Sequence, residues 1–267
     1  MLFRSFCYIF ILALSRDEVT KSNALTPRII NGQYAQLGEF PYQVSLQYNN
    51  QRHCGGSILN PKYVLTAAHC LNKTLREFPY KIRILAGTVK LSQPQSIHYV
   101  EKIILHPHYI KSTSQNDIAL IKVKIPFVFS KFINFISLPQ SNTILPIYQL
   151  VTVCGWGLSY SSSSGYYKPD HLQKANLVVL DEKVCKQLYS NGNFGKYMDD
   201  TQFCLHYPNA WIGTCSGDSG GAVTVNGVLV GVNSWGSATF SNCGRPGFPD
   251  VCTKVSKYLD WITANII

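Results

Sequence analysis

From Tyr42 onward the chain is a succession of short apolar runs, each closed by Gly, Pro, Asn or Ser. The runs at 43–47, 63–67, 82–85, 118–123, 150–153, 177–180 and 228–232 are rich in Val and Ile, residues that suit a pleated, half-buried surface. Strands recurring at this spacing predict an all-β chain folded as a barrel or a sandwich. The one helical signal comes at the end, where Val255, Tyr258, Leu259 and Ile262 share a helical face and place a short C-terminal helix over 255–267. The Ser-rich stretch 159–165 reads as an exposed loop. With 46% hydrophobic and 14% charged residues, 267 residues bury a substantial core, which excludes a disordered chain.

The first 15 residues carry Arg4, an apolar stretch over 6–14 and the small-residue site Ala13-Leu14-Ser15. That stretch is too short to span a bilayer and has the form of a secretory signal peptide. The mature chain is therefore expected to be soluble, secreted and extracellular. Export agrees with nine cysteines. Cys7 falls in the signal, and Cys54, Cys70, Cys154, Cys185, Cys204, Cys215, Cys243 and Cys252 remain. None forms a Cys-x-x-Cys metal or redox pattern, so structural disulfides are the expected use, in a pairing that spacing does not decide. The formal charge of +10 comes from Lys and Arg scattered along the chain. A solvated basic surface accounts for it; neither nucleic acid nor a membrane is an expected partner.

Gly217-Asp218-Ser219-Gly220-Gly221 is the sharpest chemical signal. Glycines around a serine allow a tight turn that exposes the hydroxyl and bares backbone N–H groups, as a nucleophile and an oxyanion hole require. The same residues read as the Gly-x-Ser-x-Gly elbow of α/β-hydrolases, but in that fold the base His follows the Ser. No His follows Ser219, which excludes that reading. The base must come earlier. His69 closes an apolar run in Thr66-Ala67-Ala68-His69-Cys70, and Asp117 opens another in Asn116-Asp117-Ile118-Ala119-Leu120. A buried carboxylate beside an imidazole would hold its tautomer and stabilise the imidazolium. Arg28-Ile29-Ile30-Asn31-Gly32 fits either a processing site or an ordinary loop before a strand.

Taken in order, Ile29-Ile30-Asn31-Gly32, Cys54-Gly55-Gly56-Ser57, the His69 and Asp117 segments, Gly155-Trp156-Gly157, the Ser219 segment and Ser234-Trp235-Gly236 resemble the motifs of chymotrypsin-family serine proteases. The resemblance runs from Ile29 to the C-terminus. It implies two packed six-stranded antiparallel β-barrels, divided near 140–150, behind a signal (1–15) and an activation propeptide (16–28). It implies a secreted serine endopeptidase, with His69, Asp117 and Ser219 as catalytic residues and the N–H groups of Gly217 and Ser219 as oxyanion hole. Ser234 would support Asp117, and Gly213, Thr214, Ser234, Trp235, Gly236 and Asp250 would bind substrate. Cleavage after Arg28 would free the Ile29 α-ammonium to pair with Asp218. The implied disulfides are Cys54–Cys70, Cys185–Cys204 and Cys215–Cys243. Cys154 and Cys252 match no common bridge; pairing with each other, remaining as buried thiols and bonding another molecule all stay open. Implied partners are protein or peptide substrates, an activating protease that prefers Arg, and protein inhibitors, with the enzyme itself a monomer.

The chain also departs from the family. Gly213, six residues before Ser219, stands where trypsin-like members have Asp, and Asp250 stands where a pocket-wall Gly is usual. Asn233 and Cys252, expected nearby, are also unusual. An acid opposite a Gly at the pocket base resembles some arthropod digestive proteases of broad or chymotrypsin-like preference. Large apolar or aromatic residues before the cut are expected, with some tolerance for Lys or Arg. Two alternatives are trypsin-like specificity through Asp250 and a non-catalytic binding homologue. The rim loop at 237–242 is longer than usual. No acidic calcium loop occurs between Gly87 and Tyr99, and His106-Pro107-His108 reads as a loop with two exposed imidazoles, so no metal and no cofactor are expected. Asn72-Lys73-Thr74 is a glycosylation sequon at Asn72.

Overall fold

Two-residue turns show how the sequence writes this fold. Asn49 and Asn50 both have positive φ (47° and 63°), and so do Asn226 and Gly227 (49° and 78°). Such turns match the right-handed twist of the strands they join, and Asn and Gly tolerate them best. The first connects β2 (Gln43–Tyr48) to β3 (Gln51–Asn60), with Tyr48 opposite Gln51. The second connects β13 (Ala222–Val225) to β14 (Val228–Trp235), with Val225 opposite Val228. The structure, a computed structural model, describes residues 29–30, 32–71, 73–141, 143–161, 165–190, 198–208, 210–236 and 242–266.

β2 and β3 continue with β4 (Tyr63–Thr66), β7 (Ala119–Val123), β6 (Ser96–Leu105) and β5 (Ile82–Ala86), which returns to β2 and closes a six-stranded antiparallel barrel. β8 (Leu150–Gly155), β11 (Gln173–Leu180), β12 (Gln202–His206), β15 (Asp250–Lys254), β14 and β13 close a second. Strand alternation fills each barrel. On β11, Gln173, Ala175, Leu177 and Val179 point inward and the residues between them do not. The first core gathers Leu46, Ile58, Val64, Ile84 and Leu120, and the second Val153, Leu177, Phe203 and Leu205.

Each barrel also holds an end of the other half. The short strand β1 (Gln33–Tyr34) precedes the first barrel in the chain but pairs with β11 of the second. At the other end, a 3-10 turn (Val255–Lys257) leads into a helix (Leu259–Asn265), and Val255, Tyr258 and Ile262 join the first core. The expected single terminal helix is thus broken at Tyr258, whose φ of −122° lies outside the helical range.

The stretch expected as an exposed loop is corrected. Residues Ser159–Ser161 (β9) and Gly165–Tyr167 (β10) pair as a hairpin, with Tyr160 opposite Tyr166 and their rings 5.2 Å apart; Ser159 is buried. The flanking tyrosines supply a cross-strand aromatic pair that outweighs the serines' loop preference. A helix over Glu182–Ser190 was not anticipated from the sequence. Asp181 caps it, Oδ1 accepting from Lys183 N and Val184 N at 2.9 and 3.1 Å, and Cys185 ties it to Cys204 on β12.

Candidate active site

His69 follows β4, in a 3-10 turn (Ala68–Cys70) fastened to β3 by the Cys54–Cys70 disulfide. Asp117 stands two residues before β7, which pairs with β4, so the strand ladder sets imidazole and carboxyl side by side. Asp117 is fully buried and its carboxylate receives three hydrogen bonds. Oδ1 accepts from the His69 backbone N–H at 2.8 Å, and Oδ2 accepts from His69 Nδ1 at 2.7 Å and Ser234 Oγ at 2.5 Å. Since a carboxylate can only accept, Nδ1 carries the ring proton and Nε2 is left to take one. Burial disfavours the His69 imidazolium, but the Asp117 charge and hydrogen bond outweigh it and raise the pKa above 6.5. Thr253 Oγ1, on β15, donates to the Asp117 carbonyl at 3.0 Å, so the second barrel also holds this first-barrel acid.

The turn at 217–221 reaches the same place from the second barrel. Gly217 and Gly220 have φ of +99° and +78°, conformations that a side chain resists. A Cβ on Gly220 would stand 2.2 Å from Thr66 Oγ1 and 2.6 Å from the Gly55 carbonyl. The turn therefore presses against the strand end that carries His69. Gly55 N donates to the Ser219 carbonyl at 2.8 Å, and Gly220 N to the Asn233 carbonyl at 2.7 Å.

Asp218 points the other way, into the second barrel, and is buried. Its Oδ1 accepts from Gly157 N at 2.7 Å and its Oδ2 from Cys215 N at 3.0 Å. A Cβ on Gly155 or Gly157 would lie 2.0 or 2.2 Å from a carboxyl oxygen, so the Gly-Trp-Gly motif is the slot in which Asp218 sits. Sequence reasoning placed this motif in order without its purpose. Burial pushes the Asp218 carboxyl up to about 6, against two backbone N–H donors and the Arg52 cation. Ile29 is buried beside Val151 and Val153, on the strand that ends at Gly155. Ile30 bridges Gly213. Arg28, Asn72 and the rim segment 237–241 lie outside the described residues.

Behind the Ser219 turn, Gly213, Thr214, Gly236 and Asp250 converge. The Asp250 Oδ2 accepts from Thr214 N at 2.8 Å. A Cβ on Gly213 would stand 3.0 Å from that oxygen, and one on Gly236 3.4 Å from Oδ1. Asp250 is buried, and burial lifts its carboxyl to about 7 despite the Thr214 hydrogen bonds. Cys252 Sγ lies 3.5 Å from Asn233 Oδ1 as its donor, so the two unusual residues are indeed neighbours. Tyr189 donates its hydroxyl to the Pro249 carbonyl and packs its ring 4.9 Å from that of Trp235.

Cys54–Cys70, Cys185–Cys204 and Cys215–Cys243 are bonded; Cys154 and Cys252 are buried free thiols. Cys54, His69 and Cys70 cluster closely enough to suggest a metal site, but the two sulfurs are bonded to each other and offer no thiolate. Of the two imidazoles expected to be exposed, His108 is, whereas His106 packs against Tyr258 and Trp261 at 5.1 and 5.2 Å. The terminal helix lying over this loop, a tertiary contact, is the cause. A cleft of about 500 Å³ beside His69 is lined by Leu71, Arg76, His106, Tyr109 and Lys111, among others. A family model described as Trypsin matches residues 29–262.

Proposed function

The chain belongs to the trypsin family of serine proteases, and we propose that it is a secreted endopeptidase, made as an inactive precursor and working through His69, Asp117 and Ser219. The observation that carries this reading is the Asp117 carboxyl, buried and hydrogen-bonded to both His69 Nδ1 and Ser234 Oγ, with the Ser219 turn packed on the strand end that leads to His69.

In this mechanism Ser219 Oγ attacks the scissile carbonyl as its proton passes to His69 Nε2. The carbonyl oxygen becomes an anion held by the N–H groups of Gly217 and Ser219. The proton then goes to the leaving amine, and the C–N bond breaks to give an acyl-Ser219. Water repeats the sequence, giving its proton to His69, and releases the acid and free Ser219. Asp117 keeps the ring oriented and its charge favours the transient imidazolium.

Cleavage after Arg28 gives Ile29 an α-ammonium that pairs with Asp218. The buried Ile29 side chain and the glycine slot around Asp218 support this activation, because a carboxyl lifted to about 6 by burial is poised to gain from a cation. Such a buried pair makes a better switch than a stabilising device.

At the pocket, Asp250 is held by Thr214 N and lifted to about 7, so below neutrality it is mostly uncharged. This supports a preference for large apolar or aromatic residues before the cut. The second reading, recognition of Lys or Arg, is favoured by the same value: above neutrality the carboxylate is available. The test is to release the form starting at Ile29 and compare peptides with Phe, Tyr, Leu, Arg, Lys or Ala before the cut, with Ser219→Ala as blank. Preference for Arg or Lys would reverse the specificity reading. No cleavage above the blank, with no labelling of Ser219 by an organophosphonate, would leave a non-catalytic binding homologue.

A further inference from the structure

Lysines scattered in the sequence converge in the fold. His69 lies beyond the last residue of β4, and Asp117 before the first residue of β7. At the opposite ends of these strands, roughly 13 Å away by strand rise, lie the Pro61-Lys62 turn and the segment 124–136. Val123 N donates to the Lys62 carbonyl at 2.9 Å, and Phe127 N to the Pro61 carbonyl at 2.7 Å. Phe127 turns into the core, its ring 4.2 Å from His98, and His98 Nδ1 donates to the Ile125 carbonyl at 2.8 Å.

Around this anchor the side chains are apolar and turned to water. Ile125 is 71% exposed, Val128 81%, Phe135 51% and Tyr99 51%. Phe129 and Phe135 hold their rings 5.6 Å apart, and Lys124 N donates to the Tyr99 carbonyl at 2.9 Å, joining the strand β6 residues to the segment. The charge beside them is mostly positive. Lys62, Lys102 and Lys124 are exposed. Glu101 is bonded to Lys122 at 2.8 Å, with Lys62 and Lys102 also lowering its pKa. From 118 to 169 the sequence contains no Asp or Glu.

From this combination we infer that this end of the first barrel docks on an anionic lipid surface. Exposed aromatic and aliphatic groups bury in the boundary between headgroup and acyl chain, and lysines around them meet the phosphates. A second copy of this chain is a poorer occupant, because it would set lysine against lysine. No helix among the described residues is long and apolar enough to cross a membrane. The Ser219 cleft, at the other end of the strands, stays open to substrate. The inference departs from the expectation of no membrane partner because scatter in sequence says little about proximity in a barrel.

The test uses intact protein carrying Ser219→Ala, so that its outcome is independent of catalysis, and vesicles of phosphatidylcholine with or without 30% phosphatidylserine. Co-sedimentation is expected with the anionic vesicles and is lost at 0.5 M salt. Lys62→Gln with Lys124→Gln weakens partitioning by roughly 30-fold, ~1 kcal/mol per lysine at an anionic leaflet. Ile125→Ser with Val128→Ser weakens it by at least as much. Lys168→Gln with Lys183→Gln, the same charge change on the second barrel, leaves it within threefold. Equal losses from both lysine pairs, no effect of the serine pair, or no binding to anionic vesicles would each overturn the assignment. So would a parent that self-associates in sedimentation velocity while the serine pair does not, since the face would then be a protein contact.

Discussion

Ser234 and His69 donate to one and the same oxygen, Oδ2 of Asp117, at 2.5 and 2.7 Å. The barrels thus meet at an atom: the acid belongs to the first, the hydroxyl to the second. Removing that hydroxyl by Ser234→Ala should lower kcat/KM about tenfold, the scale of one hydrogen bond to a charged group. Asp117→Asn should lower it about 10⁴-fold. Steady-state kinetics on the form starting at Ile29 separates the two, and equal losses would refute the supporting role given to Ser234.

The pH profile follows from the same contact. As the proposed base, His69 would act only when neutral. Burial lowers its pKa, but Asp117 raises it more, to above 6.5. Activity should therefore fall on acidification through a value above 6.5, and Ser234→Ala should change that midpoint less than Asp117→Asn does. A midpoint below 6.5 in the parent would count against Asp117 as the dominant neighbour.

Gly157→Ala tests the slot. Its Cβ would lie 2.2 Å from Asp218 Oδ2, so the carboxyl must move and lose the Gly157 N–H at 2.7 Å. A buried acceptor deprived of its partner costs about 1–3 kcal/mol. The variant should melt several degrees lower, and the fraction of Ser219 titratable by an organophosphonate should drop at least tenfold. Full titration would show that Asp218 is not what holds the turn.

On the proposed pocket reading, Asp250 would make specificity depend on pH. With its carboxyl near 7, the ratio of Arg to Phe cleavage should rise between pH 6 and 8. His69 titration affects both peptides alike and cancels in the ratio. Asp250→Asn should flatten the curve; a flat curve in the parent would mean that Asp250 never faces the guest. The stability sign is opposite. A carboxyl raised from 3.8 contributes fully below 3.8 and loses that contribution as pH rises through about 7, so Asp250→Asn should gain stability on the parent from pH 4 to 8.

Cys154 and Cys252 are buried, and burial drives both thiols well above their usual range. A thiol reagent should find no reactive cysteine in the native form starting at Ile29 and two after unfolding without reductant. None after unfolding would mean that the two are paired.

Much of this was legible because the informative residues mark turns and strand ends. Gly217 and Gly220 need positive φ, and Thr66 to Cys70 and Asn116 to Leu120 are the ends of paired strands, so local spelling fixes where their side chains can go. What stayed hidden depends on who the neighbour is. The bond from Thr214 N to Asp250, the packing of His106 under the terminal helix and the gathering of Lys62, Lys102 and Lys124 are all long-range contacts. The hairpin at Tyr160 and Tyr166 was missed because counting serines ignores the tyrosines that pair across it.

The exchanged ends of the two barrels have a mechanical meaning. No disulfide among the described residues joins the half before 141 to the half after 149. Yet β1 is stitched to β11, and the terminal helix plugs into the first core. A single nick in the connector would therefore set neither half adrift, because each still grips the other's tail. For a molecule whose own kind cuts chains, that clasp works as damage tolerance: wounded between its barrels, it stays one body.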